Sequence, residues 1–547
     1  MSVRPVIEAS AVALVVSIAG LGAARSDVAD AVMKGDKAAA RALLQQHADV
    51  NTPQADGTTA LHWAVYRDDL ETADLLIRAG ANVKAANREG ATPLFLASVN
   101  GHAMLIEKLL KAGADPNLPV LSHGETALMM AARTGRVEAI RVLLDYGAEV
   151  DAKESLRGTT ALMWAAEQEH PAAVELLTEY GADVDARANP ATLGRSAYLA
   201  PTVRQRTATV GVEGAAARAA RGRGGAEGGR GRGGRGAEGA PQDFDNQDFF
   251  APRQNTNGGG LTPLVFAARQ GDLESARILI EAGADVNKVT QYGWTPLLTA
   301  THNRYYKLAS FLLDKGADPN IANKGGWTPL YLATDNRNIE GGDYPVRKPD
   351  MDHLEVINKL LDHGADVNAR AKDSTETRTI FTMQWLDESG ATPFLRAAQS
   401  GDVPLMRLLL DHGADPKIPT TNNVTALEVA AGIGWVEGVT YEWSEQDNLE
   451  AVKMCLDLGI DVNARDGDGR TALHGAAHKG RNAVVQLLVD RGARLDAKDR
   501  GSRDTDHHSI EDAAERRRVE MARSLFGRHH SVPSTMRHND HAHLPAG

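Results

Sequence analysis

One short word recurs through this chain at a near-constant interval, and it restricts the fold more than any bulk property does. It first reads Thr59-Ala60-Leu61-His62-Trp63-Ala64. It returns at Thr92-Pro93-Leu94, Thr126-Ala127-Leu128, Thr160-Ala161-Leu162, Thr262-Pro263-Leu264, Thr295-Pro296-Leu297, Thr328-Pro329-Leu330, Thr392-Pro393-Phe394, Thr425-Ala426-Leu427 and Thr471-Ala472-Leu473. The regular steps between these threonines are 33 or 34 residues. A second word keeps a fixed offset from the first, as in Gly80-Ala81-Asn82-Val83, Gly113-Ala114-Asp115-Pro116-Asn117, Gly283-Ala284-Asp285-Val286-Asn287 and Gly364-Ala365-Asp366-Val367-Asn368. Two words in phase mark an array of repeats, each packing only on its neighbours. A chain of 547 residues then need not divide into several globular domains.

Each word has a physical task. Thr caps a helix through its hydroxyl, and Pro in the first turn lacks an N–H that had no partner there anyway. Leu and small Ala residues let this helix pack closely. A second helix follows, as over Leu70–Ile77, with apolar residues at helical spacing. Gly80 then supplies a left-handed cap. The Asn, Asp and Gly residues between Ala81 and Ala91 carry turn chemistry.

These residues resemble the ankyrin repeat, a unit of about 33 residues with a T-P-L-H-x-A signature, a turn finger and two antiparallel helices. The resemblance covers roughly Ser26 to Asp499 apart from one long insert. It implies an all-α solenoid of about 11–12 stacked repeats, each a helix-turn-helix with a β-hairpin finger. It also implies that His62 and His474, at the consensus His position, tie neighbouring repeats together. The recurring Asp285, Asp366 and Asp415 are read as turn-forming residues, not as acid–base pairs.

Charge and composition narrow the function classes. A formal charge of −12 makes the chain as a whole poorly suited to nucleic acid. The single cysteine, Cys455, rules out an intramolecular disulfide framework and any Cys-based zinc site; its helical position reads as buried packing. No nucleophile elbow, phosphate loop or HExxH sequence is present. The expectation is therefore a chain without catalytic residues, cofactor or metal.

Residues 1–24 read as a signal peptide: Arg4, an apolar run from Ala9 to Ala24, and small Gly22 and Ala24 before a cleavage point near Arg25. The run is too short for a spanning helix. The mature chain is thus expected to be exported, periplasmic or extracellular, with no transmembrane span; a cytoplasmic chain with an uncleaved leader is the alternative. Multi-repeat ankyrin chains with leaders occur among exported bacterial proteins, and this chain resembles them. Asp27 to Asn51 forms an atypical first unit, as expected where one face of a stack meets water.

The array is interrupted three times. Residues 189–257 are expected to form a disordered insert, with the Gly/Arg runs Arg221–Gly225 and Arg230–Gly236 followed by Phe244, Phe249 and Phe250 in an acidic setting. Because the chain leaves a finger at Asp183-Val184-Asp185 and resumes at Leu261-Thr262-Pro263, the insert replaces a finger tip. The helices at Val174–Thr178 and Pro263–Ala268 are therefore expected to pack side by side. The step from Thr328 to Thr392 is 64 residues: part of the excess, near Arg337 to Asp352, falls between two helices, and part, near Ala371 to Ser389, extends a finger bearing Phe381 and Trp385. Another excess, around Gly434 to Asp447, falls between helices and carries Trp435, Tyr441 and Trp443. Residues 25–188 and 258–500 thus form the two parts of the array. Residues 501–547 are expected to hold a degenerate capping helix (510–526) and a polar tail with His538, His541 and His543.

The leading functional reading is a monomeric, non-catalytic module that holds a partner protein in a concave groove. The alternatives are RNA or polyanion binding through Arg221 to Arg235, and an enzyme whose site lies in the inserted loops. In the repeats it resembles, the residue before the capping Thr and those seven and eight after it face the groove. That carries Trp294 and Trp327, with Tyr292, His302, Asn303, Asp335 and Asn336, onto the expected partner-binding surface, and Tyr66 and Arg67 near the start of the stack. Paired tryptophans flanked by polar groups have the composition of a hot spot. The competing reading is that Trp in Gly-Trp-Thr-Pro-Leu braces adjacent fingers. Trp63 and Trp164 are assigned to the core.

Overall fold

The computed structural model describes residues 26–190, 259–338, 347–372, 386, 388–435, 441–497 and 499. The leader, the Gly/Arg segment, Phe381 and Trp385, the 510–526 stretch and the terminal histidines lie outside them. The described residues fall into two compact units, the first ending at Ala317 and the second starting at Asp318. Among the described residues the regular structure is helical, and no helix is long and apolar enough to cross a membrane.

Local chemistry sets each repeat. The Thr92 hydroxyl accepts from the Phe95 N–H at 3.2 Å, and Thr262, Thr295, Thr328 and Thr392 cap their helices in the same way, each followed by Pro in the first turn. Where Pro is replaced and His follows, the ring does more. His62 Nδ1 lies 2.8 Å from Thr59 Oγ1, and His62 Nε2 lies 3.0 Å from the Ala91 carbonyl of the next finger. That histidine joins two repeats, as the resemblance implied.

Asparagine joins the fingers. Asn117 Nδ2 donates to the Gly147 carbonyl at 2.9 Å, and its Oδ1 accepts from the Glu149 N–H at 2.7 Å. The same pair of hydrogen bonds, one donated and one accepted, is made by Asn51, Asn320, Asn368 and Asn463. The aspartates at the preceding turn position act locally: Asp285, Asp366 and Asp415 each accept from the N–H two residues on. The fingers differ from the expected β-hairpins. Among the described residues each is closed by a backbone bond across its neck, as from Asn87 N–H to the Ala91 carbonyl at 3.0 Å, and the pairing extends to an antiparallel bridge at Val120 with Glu125.

In the first unit the leading helices of successive repeats pack in series: Asp27–Lys34, Ala60–Tyr66, Pro93–Asn100, Ala127–Arg133, Ala161–Glu167, Pro263–Gln270 and Pro296–His302. The long insert does not break this series. Ala188 N–H donates to the Leu261 carbonyl at 2.9 Å and Gly260 N–H to the Asn189 carbonyl at 3.1 Å, which closes the neck of one finger. The partners across that neck differ from expectation. Pro263–Gln270 packs on Ala161–Glu167, and it is Leu273–Glu281 that packs on Pro171–Glu179. Equivalent helices stack on equivalent helices, because only that register keeps the small-residue faces opposed.

The second unit repeats the scheme with Pro329–Arg337, Pro393–Ser400, Ala426–Ala431 and Ala472–Lys479 as leading helices. Its 388–391 segment closes a finger, with the Gly390 N–H donating to the Ala371 carbonyl at 2.7 Å. Helix Glu445–Asp457 begins at the Ser444 cap, so the inserted loop ends slightly earlier than expected. Cys455 is fully buried, and burial pushes its thiol up to about 12, out of the range of a reactive thiolate.

Candidate functional site

The residues four, seven and eight after each capping Thr share one side of the leading helix, by the helical spacing of three and four. In the first unit that side is open. Tyr66 is 63% exposed, and Arg67, Val99, Arg133, Gln168, Arg269 and His302 are exposed along the same series.

Two tryptophans assigned to the core belong to this face. Trp63 and Trp164 are both half-buried. Trp63 meets Tyr66 edge to face at 5.8 Å, and its indole N–H donates to Gln54 Oε1 at 2.7 Å. Trp164 lies under two guanidinium groups, with Arg157 at 4.8 Å and Arg133 at 5.2 Å from the ring centre. Beside it, Glu167 pairs with Arg269 at 2.6 Å and stands 3.7 Å from Arg157. Arg269 also lies over its own helix's Phe266, at 5.5 Å. Arg269 follows the long insert and Glu167 precedes it, so the Glu167–Arg269 pair exists only because the stack closes across that insert. The sequence offered one signal for the cluster, arginines at 133, in the preceding repeat's leading helix, and at 157, in the finger just before Thr160.

At the far end of this unit, Trp294 is half-buried and meets the His302 ring edge to face at 5.2 Å. Tyr292 and Asn303 are half-buried, and Asn303 Nδ2 bonds back to the Thr299 carbonyl.

In the second unit the same register is closed. Trp327, expected on the exposed face, is fully buried. Its ring lies 4.8 Å from Tyr331, edge to face; Tyr331 stands where the preceding repeat has Leu298, and an aromatic there draws the indole along the helix. Asp335, also expected on the partner surface, is 5% exposed, and Asn336 is half-buried. Asp335 Oδ1 accepts from Arg396 Nε at 2.7 Å, and Arg396 itself is 1% exposed. Arg396 also donates to Ser400 Oγ at 3.0 Å and to the Asn338 carbonyl at 2.5 Å. Arg337 binds Asp402 through two nitrogens, at 2.7 and 3.2 Å, while Asp402 caps the following helix. Trp443 then crosses these helix ends. Its N–H donates to the Ser400 carbonyl at 3.2 Å, its indole N–H to Asn338 Oδ1 at 3.0 Å, and its ring lies 4.5 Å from the Arg337 guanidinium. The neighbouring Glu442 holds Arg481 at 2.8 Å and stands 2.6 Å from Lys479 Nζ, a charge contact without hydrogen-bond alignment. Burial lowers the Lys479 ammonium from its ordinary range, and Glu442 partly offsets this. The inserted aromatic segment thus engages its own unit's helices.

Family models described as ankyrin repeats in three copies match residues 28–120, 118–188, 247–323 and 264–371. Further ankyrin repeat models match 389–421 and 444–489. The chain belongs to the ankyrin repeat family. Ankyrin repeats serve protein–protein interaction, and that general role is the chain's.

Among curated proteins it is similar to serine/threonine-protein kinase 12 of Arabidopsis thaliana, at 51% identity over 57 residues, 10% of this chain and 12% of that protein. It is similar to protein phosphatase 1 regulatory subunit 12A of Mus musculus, at 30% over 146 residues, 26% of this chain and 11% of that one. It also matches the putative ankyrin repeat protein FPV219 of Fowlpox virus, at 29% over 119 residues, 18% of this chain and 27% of that one. The chain therefore spans a minor part of each of these relatives. Among solved structures, the ankyrin repeat domain of human ASB11 aligns at 22% identity with a TM-score of 0.37, covering 54% of this chain and all of that one.

Within this ankyrin chain, the expected partner-binding residues separate by unit. Tyr66, Arg67 and His302 are exposed in the first unit, and Tyr292, Trp294 and Asn303 are half-buried there. Trp327 and Asp335 are interior residues of the second, so the expected pair of exposed tryptophans does not form.

Proposed function

We propose that the chain is a non-catalytic interaction scaffold that holds a partner protein on the open leading-helix face of its first unit. The observation that carries this reading is the Trp164 cluster. A half-buried indole, with Arg133 and Arg157 over its ring, sits in a row of exposed groove-register residues that includes Tyr66, Arg269 and His302. Trp, Tyr and Arg are the residue types that dominate binding hot spots. Their positions are held by stacking before any partner arrives, which reduces the ordering entropy that binding costs.

Trp164→Ala combined with Tyr66→Ala is expected to weaken partner binding by about 2 kcal/mol or more. Glu138→Ala with Glu175→Ala, on exposed positions of the second helices, should leave it unchanged. The comparison is made by capturing proteins on the immobilised full chain and its variants. Equal retention by both double variants and the wild type would overturn the assignment.

A further inference from the structure

The reading above leaves open which chemistry the partner presents. We propose that the Trp164 cluster is a docking site for an acidic segment of a partner protein, its Asp or Glu carboxylates received by Arg133 and Arg157. This rests on the reading that the first unit's leading-helix face binds a protein.

The cluster is rich in donors and short of acceptors. Arg133 is exposed, and its guanidinium makes no ion pair or hydrogen bond among the described residues. Among the described residues the Arg157 guanidinium has only the long 3.7 Å approach to Glu167 as an ion pair, and that carboxylate is engaged by Arg269 at 2.6 Å. The Trp164 indole N–H is buried without an acceptor. The contrast with Trp63 explains that orphan. Trp63 donates to Gln54, five residues before its capping Thr. The matching position for Trp164 is Ser155, whose hydroxyl is turned away to the His123 carbonyl at 2.9 Å. A buried donor left unpaired costs about 1–3 kcal/mol, a cost this repeat carries where the Trp63 repeat does not.

The geometry suits carboxylates in particular. The guanidinium carbons stand 4.8 and 5.2 Å from the ring centre, and a guanidinium receives a planar two-oxygen acceptor through two parallel N–H bonds. The remaining acids in this register are committed or set back. Asp68 accepts from Asn100 Nδ2 at 3.1 Å, Glu167 is held by Arg269, and Glu125 is half-buried at the finger with one carboxylate oxygen buried and unpartnered among the described residues. A cationic patch on a chain of formal charge −12 is a local exception, and charge complementarity selects an acidic partner.

The test titrates the full chain with a fluorescent glutamate-rich peptide, a glutamine-rich peptide of equal length and a single-stranded oligouridylate, reading anisotropy at two salt concentrations. The glutamate peptide should bind, with an affinity that falls as salt rises, and the glutamine peptide should not. Arg133→Gln with Arg157→Gln should lower the affinity by about tenfold or more and flatten the salt dependence. Arg133→Gln alone, at an exposed side chain that does not endanger folding, should give a smaller loss in the same direction. Replacing the arginines of 221–235 by glutamine should leave the specific affinity in place, which separates the cluster from that basic segment. The proposal is overturned if the glutamine peptide binds equally, or if the arginine variants bind the glutamate peptide normally. It is also overturned if oligouridylate binds more tightly through the same two arginines. Those outcomes leave the docking face itself standing, since crosslinking of a partner tests the face independently of its charge.

Discussion

Replacing Asp335 by alanine is expected to destabilise the second unit by about 3–5 kcal/mol. Arg396 is 1% exposed, and the substitution strips its guanidinium of the carboxylate that lies 2.7 Å from Nε. Ser400 Oγ and the Asn338 carbonyl remain, but they are neutral and cannot balance a buried positive charge. The loss reflects an abandoned charge more than a strong pair. Asp335→Leu with Arg396→Met should therefore recover most of the stability, because well-packed apolar residues often replace a buried pair at little cost. Denaturant unfolding with hydrogen exchange over Pro329–Arg337 and Pro393–Ser400 reads the effect in the right helices. A single variant as stable as wild type would show that Arg396 is not held as described.

The second large effect is a pH dependence. Glu428 takes the place that His62 has in its repeat, three residues after the capping Thr. It is fully buried. Thr425 N–H and hydroxyl donate to Oε2 at 2.6 and 2.9 Å, while Oε1 has no partner. Burial, with Asp466 adding repulsion, pushes the carboxyl up to about 7, against the lowering effect of the Thr425 bonds. The folded unit therefore binds the proton more tightly than the unfolded chain does. The stabilisation is fully present below about 4.5 and is lost as pH rises through about 7. At about 1.4 kcal/mol per pH unit, the loss over that window is about 3 kcal/mol. Glu428→Gln keeps an acceptor for Thr425 and removes the titration. The variant should match wild type near pH 4.5, exceed it at pH 8, and show a flat profile between. Hydrogen exchange over Ala426–Ala431 across that range measures it, and a wild-type profile that is already flat contradicts the account.

His62 runs the other way. Burial lowers its pKa, so its contribution to the first unit's stability is fully present above about 6.5 and is lost as pH falls through its lowered value. The same consensus position holds His62 in one repeat and Glu428 in another, and the two side chains respond to acid in opposite directions.

The fold was legible because each repeat is specified by neighbours in sequence. Thr capping, Pro in the first turn, left-handed glycine and Asn in the finger all act within a few residues or one repeat. Even the closure across 189–257 could be read, since a half-written finger on each side demanded its other half. The site was not legible in the same way. Trp294 and Trp327 stand in the same word, yet one meets His302 and the other turns onto Tyr331, and the word does not contain that difference. Asp335 looks like a groove residue until Arg396 is placed beside it, 61 residues later. Trp164 sits among alanines and methionines that spell a core helix. Only the arginines brought to it from another helix and a finger make it part of a surface.

The central claim is that the partner docks on the leading-helix face of the first unit, and site-directed photo-crosslinking in the cells that make the protein tests it most directly. A photoreactive residue is placed singly at Tyr66, Gln168 or His302 on that face, at Glu138 or Glu175 on the second helices, and at Trp443 in the second unit. The account predicts saturable crosslinks to one partner from the first three positions and none from the others. Crosslinks confined to Glu138, Glu175 or Trp443 would contradict it.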